Sequence, residues 1–190
     1  MPKNPFTATF EYELDVELPN SRTNLYYFPH EPTVGGSRLI RFSIDGKQWV
    51  GQFLDSGIGG VTGFHPWVKE DWAAVILNGD CYTVNVREPE EWRMLDARMI
   101  REYYPVADEG VVLIAEFTEL YCYGADGLRW NVPRLTQDFL EIESVEHGVI
   151  HCKACVGGVD DHRFTVDLHS GVTNDPAVLE WLRMTASWKR

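Results

Sequence analysis

The chain has 190 residues, 44% of them hydrophobic and 13% aromatic, including seven Trp and eight Tyr, with a formal net charge of −12. That length suits one well-buried core, and seventeen basic residues against twenty-nine acidic ones exclude the clustered cations that nucleic acid or an anionic membrane surface requires. No apolar run approaches the ~18 residues that cross a bilayer, and the opening MPKNPFTATF lacks the basic and apolar regions of a secretory signal, so the expected location is the cytoplasm.

The first predicted element is FTATFEYELDVEL (6–18). Phe6, Ala8, Phe10, Tyr12, Leu14, Val16 and Leu18 alternate with Thr7, Thr9, Glu11, Glu13, Asp15 and Glu17, the signature of a half-buried strand with one wet face. Its four carboxylates, Glu11, Glu13, Asp15 and Glu17, form a row of like charge. Such a row keeps an edge strand from pairing with other chains. It also makes a ladder on which a basic protein partner would dock.

RLIRFSIDGKQWVGQF (38–53) follows as a hairpin. Asp45-Gly46 tolerates the positive φ of a two-residue turn whose twist matches the strands. Ile44 then faces Lys47, and Phe42 faces Trp49 as an aromatic cross-strand pair.

DSGIGGVTG (55–63) carries Gly57, Gly59, Gly60 and Gly63, which miss the dinucleotide-binding spacing, and no βαβ pattern surrounds them. The stretch reads as a loop between hairpins. An alternative ligand site sits at its mouth, formed by Asp55, His65 and Trp67, and would suit a small hydrolase or small-ligand-binding domain.

Residues 61–84 and 100–123 look like copies displaced by 39 positions. At that shift Val61 meets Ile100, Phe64 meets Tyr103, Pro66 meets Pro105, Glu70 meets Glu109, Val75 meets Ile114 and Tyr82 meets Tyr121, while Trp92 and Trp130 correspond after a one-residue slip. A weaker third copy starts at EHGVIHCKA and closes with HRFTVDLHSG, where Phe164, Val166 and Leu168 alternate into a Ser170-Gly171 turn. A period near 40 lies in the range of β-propeller blades. PEEWRMLDARMIREYY (89–104) puts Trp92, Leu95, Met99 and Tyr103 on one helical side, but the repeat limits it to a short turn of helix followed by strand. DGLRW (126–130) repeats the Asp-Gly-x-x-Trp of DGKQW (45–49), and both read as a turn with an aromatic lock rather than a ligand site. NDPAVLEWLRM, with a cap at Asn174 or Asp175 and Pro176 in the first turn, predicts a helix over 175–186.

Four cysteines are too few for a disulfide scaffold. CKAC, with Cys152 and Cys155 beside His151 and His162, has one metal-like spacing, but VIHCKACV alternates as a strand, and zinc needs a turn there. Neither a metal site nor a cofactor is expected. Glu116 with Glu119, Glu141 with Glu143 and Asp160 with Asp161 are carboxylate pairs, and His147 with His151 is a pair spaced for a helix but placed at a turn and strand. No Walker loop, nucleophile elbow, H-E-x-x-H or EF-hand pattern is present, so no catalytic residue is assigned.

YGADGLRW, VPRLTQDFLEI and the closing FTVDLHSG resemble a pattern in uncharacterised small bacterial β-rich proteins and in propeller blades generally, over about a third of the chain. The resemblance implies repeated antiparallel units and no activity. The expected architecture is a single all-β domain over 1–190, with blade-like units near 38–53, 61–98, 100–135 and 146–172 forming packed sheets, a small propeller or a sandwich, and a short C-terminal helix. The expected function is non-catalytic: an acidic scaffold that binds a basic protein, as an immunity protein or antitoxin-like inhibitor does.

Overall fold

In the computed structural model the described residues are 6–19, 24–29, 36–55 and 59–187. Gly57, named above, lies outside them. The chain divides into two compact units, Met1–Met99 and Ile100–Arg190.

The first unit holds two four-stranded sheets. One contains β1 (Glu11–Leu14), β2 (Leu25–Phe28), β3 (Ser37–Ile44) and β4 (Lys47–Leu54) in the order β1-β3-β4-β2. The other is a meander of β5 (Gly63–Pro66), β6 (Trp72–Leu77), β7 (Asp80–Asn85) and β8 (Trp92–Met94). All strand pairs are antiparallel except β2 with β4. Alternation along β3 sends Ile40, Phe42 and Ile44 inward, where they share a core with Trp49 and Phe53 of β4 and with Ala73, Val75, Leu77, Tyr82 and Val84 of the second sheet. Flat rings fill this layer: Phe28 stacks on Phe53 with centroids 4.4 Å apart, and Phe42 stacks on Trp49 at 4.5 Å.

The second unit repeats the plan with different sheets. β9 (Glu102–Val106), β10 (Val111–Ala115), β11 (Leu120–Gly124) and β12 (Gly127–Val132) form a meander, with a 3-10 turn at Ala107–Glu109 between the first two. β13 (Asp138–Glu146), β14 (Val149–Val156) and β15 (Val159–Asp167) form a three-stranded sheet. Leu113, Leu120 and Cys122 of the meander meet Leu140, Ile142, Ile150, Cys152, Phe164 and Val166 across a core. Val178 of α1 (Pro176–Ser187) joins it, and Trp181 and Leu182 pack against it. The fold is thus all-β with one short C-terminal helix, and none of the four sheets closes on itself among the described residues. No helix among them is long and apolar enough to cross a membrane.

Segments 61–84 and 100–123 fold alike, strand for strand. Phe64 pairs Val75 and Val75 pairs Tyr82 in the first, while Tyr103 pairs Ile114 and Ile114 pairs Tyr121 in the second. Every one of these partners is displaced by the same 39 positions.

The first hairpin has the expected register, Ile44 opposite Lys47 and Phe42 opposite Trp49, with Asp45 at φ 48° and Gly46 at φ 75° in the loop. Three other two-residue loops take positive φ at both positions: Asn78-Gly79, His147-Gly148 and Gly157-Gly158.

Two local expectations need correction. The strand expected over 6–18 forms a regular ladder only as Glu11–Leu14; Asp15 then turns left-handed, φ 52°, and one further backbone bond runs from the Val16 N–H to the Leu39 carbonyl at 3.3 Å. In DGLRW the loop is Ala125-Asp126, since Gly124 pairs Gly127; a bulge then brings Trp130 opposite Cys122. Between 89 and 104, where at most a short helical turn and then strand is expected, a turn at Pro89-Glu90 leads into the short strand β8 and then β9.

Candidate functional site

The pairing of β1, β3 and β4 sets out a grid on the outer face of the first sheet. Paired residues point the same way, so Glu11, Ser43 and Gln48 form one row across three strands, and Glu13, Arg41 and Val50 form the next. Tyr12, Phe42 and Trp49 lie between those rows on the inner face, where Tyr12 meets Phe64 of β5 at 5.7 Å.

The four predicted partner-binding acids therefore have different surroundings. Glu13 is ion-paired with Arg41, directly opposite it in β3. Asp15 receives Arg38 Nη1 on both carboxylate oxygens at 3.0 Å. Glu11 faces Ser43, not an arginine. Glu17 is exposed beyond the end of β1. The two arginines hold the middle of the acidic row in place along the sheet edge. Because all these groups are exposed, each pair adds little to stability. Their consequence is order.

Beside Glu11 the chain parts from β3 and leaves a cleft of about 500 Å³, lined by Thr9, Phe10, Glu11, Ser43, Asp45 and Gln48 among others. Asp45 of its lining belongs to an ionic knot. Arg87 bridges Asp45, in the β3–β4 turn, and Asp71, in the β5–β6 turn, while Thr9 Oγ1 donates to Asp71 at 2.5 Å. Two carboxylates on one guanidinium hold Arg87 firmly protonated, the Asp45 bond being the largest cause and the Asp71 bond the next.

The alternative site, Asp55, His65 and Trp67, is strung out rather than gathered. Asp55 Oδ1 accepts from Asn78 Nδ2 at 2.5 Å, in the β6–β7 turn. His65 pairs Ala74, four residues back along β6, about 13 Å away at 3.3 Å per residue. Trp67 is buried further along, its backbone N–H donating to the carbonyl of Trp72 at 2.8 Å. Burial lowers the pKa of His65, which favours the neutral ring.

Cys152 and Cys155 both lie in β14 and, like Cys81 and Cys122, are buried free thiols. Burial, with Glu102 and Glu143 nearby, pushes the Cys152 thiol up to about 12. Among the described residues no three His, Cys, Asp or Glu converge on a metal position. The carboxylate pairs serve the sheets: Glu141 and Asp161 flank Lys153 at 2.7 and 3.8 Å, Glu143 takes Arg163, and Glu119 accepts from Tyr121 Oη at 2.7 Å. His147 sits in a turn and His151 in β14, while His162 Nε2 lies 3.0 Å from Asp175 at the start of α1.

Sequence reasoning missed Gln48, Ser43, Arg38 and Arg41 as neighbours of the acidic row. The signal was the order of the strands, which nothing local in the chain encodes. The chain matches no protein-family model, and no curated protein matches it.

Proposed function

We propose that this protein is a non-catalytic acidic β scaffold that binds a basic protein partner through the outer face of its first sheet, as an immunity protein or antitoxin-like inhibitor would. The observation that carries the reading is the ordered acidic edge, Glu11 and Glu13 on edge strand β1 and Asp15 just past it, with Arg41 holding Glu13, Arg38 holding Asp15 and a cleft opening at the Glu11 end. An ordered negative edge meets a cationic partner at lower entropic cost than a mobile one, and the net charge of −12 speeds encounter. Four free thiols fit a reducing compartment such as the bacterial cytoplasm. The shared 39-residue register supports descent from a repeated hairpin unit, a way to build a rigid display surface.

The test is affinity capture on the immobilised protein from bacterial lysate, identification of what is retained, and titration of each purified candidate. A basic protein that binds one-to-one, more weakly at high salt, and loses affinity when Glu11, Glu13 and Asp15 are changed to Gln supports the reading. Recovery of no protein with saturable binding, or of one indifferent to those changes, overturns it.

A further inference from the structure

Resting on that reading, we infer that the cleft beside Glu11 is the anchor pocket for a single arginine side chain of the basic partner. Three observations point there. The row Glu11, Ser43 and Gln48 spans three neighbouring strands, about 10 Å at the usual strand spacing, and presents a carboxylate, a hydroxyl and an amide along one line. A planar guanidinium with five donors matches a line of acceptors, whereas an ammonium is a point charge with three. The local charge is negative even with its own cation included, since Glu11, Asp45 and Asp71 set three carboxylates against Arg87. The cleft of about 500 Å³ is large enough to take a side chain of that length.

The nearby cations do not compete for the row. Arg41 belongs to the next row and is held by Glu13. Lys47 pairs Ile44 and so points to the opposite face of the hairpin from Gln48. Arg87, outside the cleft lining, is held by Asp45 and Asp71. Thr9 lines the cleft with its hydroxyl already committed to Asp71. That leaves Glu11 as the group that a guanidinium would engage from solvent, with Ser43 and Gln48 beside it.

The test uses the whole protein and two capped tripeptides, Gly-Arg-Gly and Gly-Lys-Gly, in an amide-resolved NMR titration. Saturable shifts centred on Gly46 and Gln48 with the arginine peptide, and binding weaker by about tenfold in Glu11→Gln, are expected for loss of one charge-assisted bidentate contact. Gln48→Ala, also at an exposed site, should weaken binding by a smaller factor. No saturable shift at the cleft, equal binding of the lysine peptide, or an unaltered affinity in Glu11→Gln overturns the inference. A captured partner whose affinity survives Glu11→Gln alone sinks the anchor but leaves the scaffold reading standing. Tripeptide binding with no partner captured does the reverse.

Discussion

The indole N–H of Trp49 donates to the backbone carbonyl of Val86 at 2.8 Å, joining β4 of one sheet to the residue just past β7 of the other. Trp130 does the same in the second unit: its indole donates to Leu168 at 2.9 Å, the residue just past β15. The two Asp-Gly-x-x-Trp motifs thus supply an inter-sheet tie as well as a hairpin lock. Changing either Trp to Phe keeps a ring in the core but strands a carbonyl. The expected loss is about 1–3 kcal/mol for each, read from denaturant midpoints. Trp49→Phe should cost more than Trp130→Phe, because Trp49 is buried and Trp130 is only partly so. Equal stability of Trp49→Phe and the native protein would mean that the tie contributes nothing.

A second consequence concerns what Trp130 rests on. Gly171 has φ 71°, and a Cβ there would lie 2.8 Å from the Trp130 ring and 3.2 Å from Val132. Gly171→Ala combines backbone strain with a clash against two residues of β12, so it should destabilise by roughly 1–3 kcal/mol beyond strain alone. Gly157→Ala is the control: its φ is 59°, yet nothing lies within 4 Å of the added carbon. Thermal unfolding of the two variants separates the terms, and a Gly171→Ala no worse than Gly157→Ala defeats the packing argument.

Much of this was open to reading in the sequence, and the reason differs by element. The Phe42–Trp49 stack follows from loop length alone, once Asp45-Gly46 is taken as a two-residue turn. Burial of Phe164, Val166 and Leu168 follows from alternation. The length of β1 does not follow, because alternation reports which face is wet and not whether a neighbouring backbone is there to pair with. DGLRW shows a related limit: Ala125-Asp126 and Asp126-Gly127 are both acceptable turns, and the bulge beside Trp130 decides between them. The candidate site was half legible. Its acids stand in a row in the chain, but the arginines and Gln48 reach them through a strand order that only long-range pairing sets.

At the start of α1, Asp175 Oδ1 accepts the N–H of Val178 at 3.0 Å and lies 3.0 Å from His162 Nε2. Burial works to raise the Asp175 pKa, but the bond from Val178 and the contact with His162 outweigh it, so its folded value lies below the ordinary 3.8. A depressed carboxylate pKa adds stability that is fully present above the unfolded value and is lost as pH falls through the folded one. Asp175→Ala should therefore cost about 1 kcal/mol at neutral pH, as the loss of a helix N-cap does, with the gap between variant and native protein closing below about pH 4. Denaturation curves across that range check it; a gap that widens toward low pH would falsify the assignment.

Glu102 makes the opposite case. It sits half-buried at the start of β9 and its Oε2 accepts the N–H of Ile142 at 3.0 Å, next to the bulge in β13. Burial is the main cause that raises its pKa, opposed by the Ile142 bond and reinforced by Glu141. A carboxyl with a raised folded pKa binds its proton more tightly in the folded protein, so stability falls as pH rises from the unfolded value through the folded one. Gln at this position keeps a carbonyl oxygen for Ile142 and carries no charge. Glu102→Gln is therefore expected to be at least as stable as the native protein at neutral pH and to lose that advantage in acid, where Glu102 is itself neutral. Glu102→Ala leaves the Ile142 N–H without its acceptor and should be less stable at both pH values. Urea midpoints for the three proteins at neutral and acid pH give the answer: a Gln variant that is destabilised at neutral pH would show that the charge of Glu102, and not its hydrogen bond, holds β9 to β13.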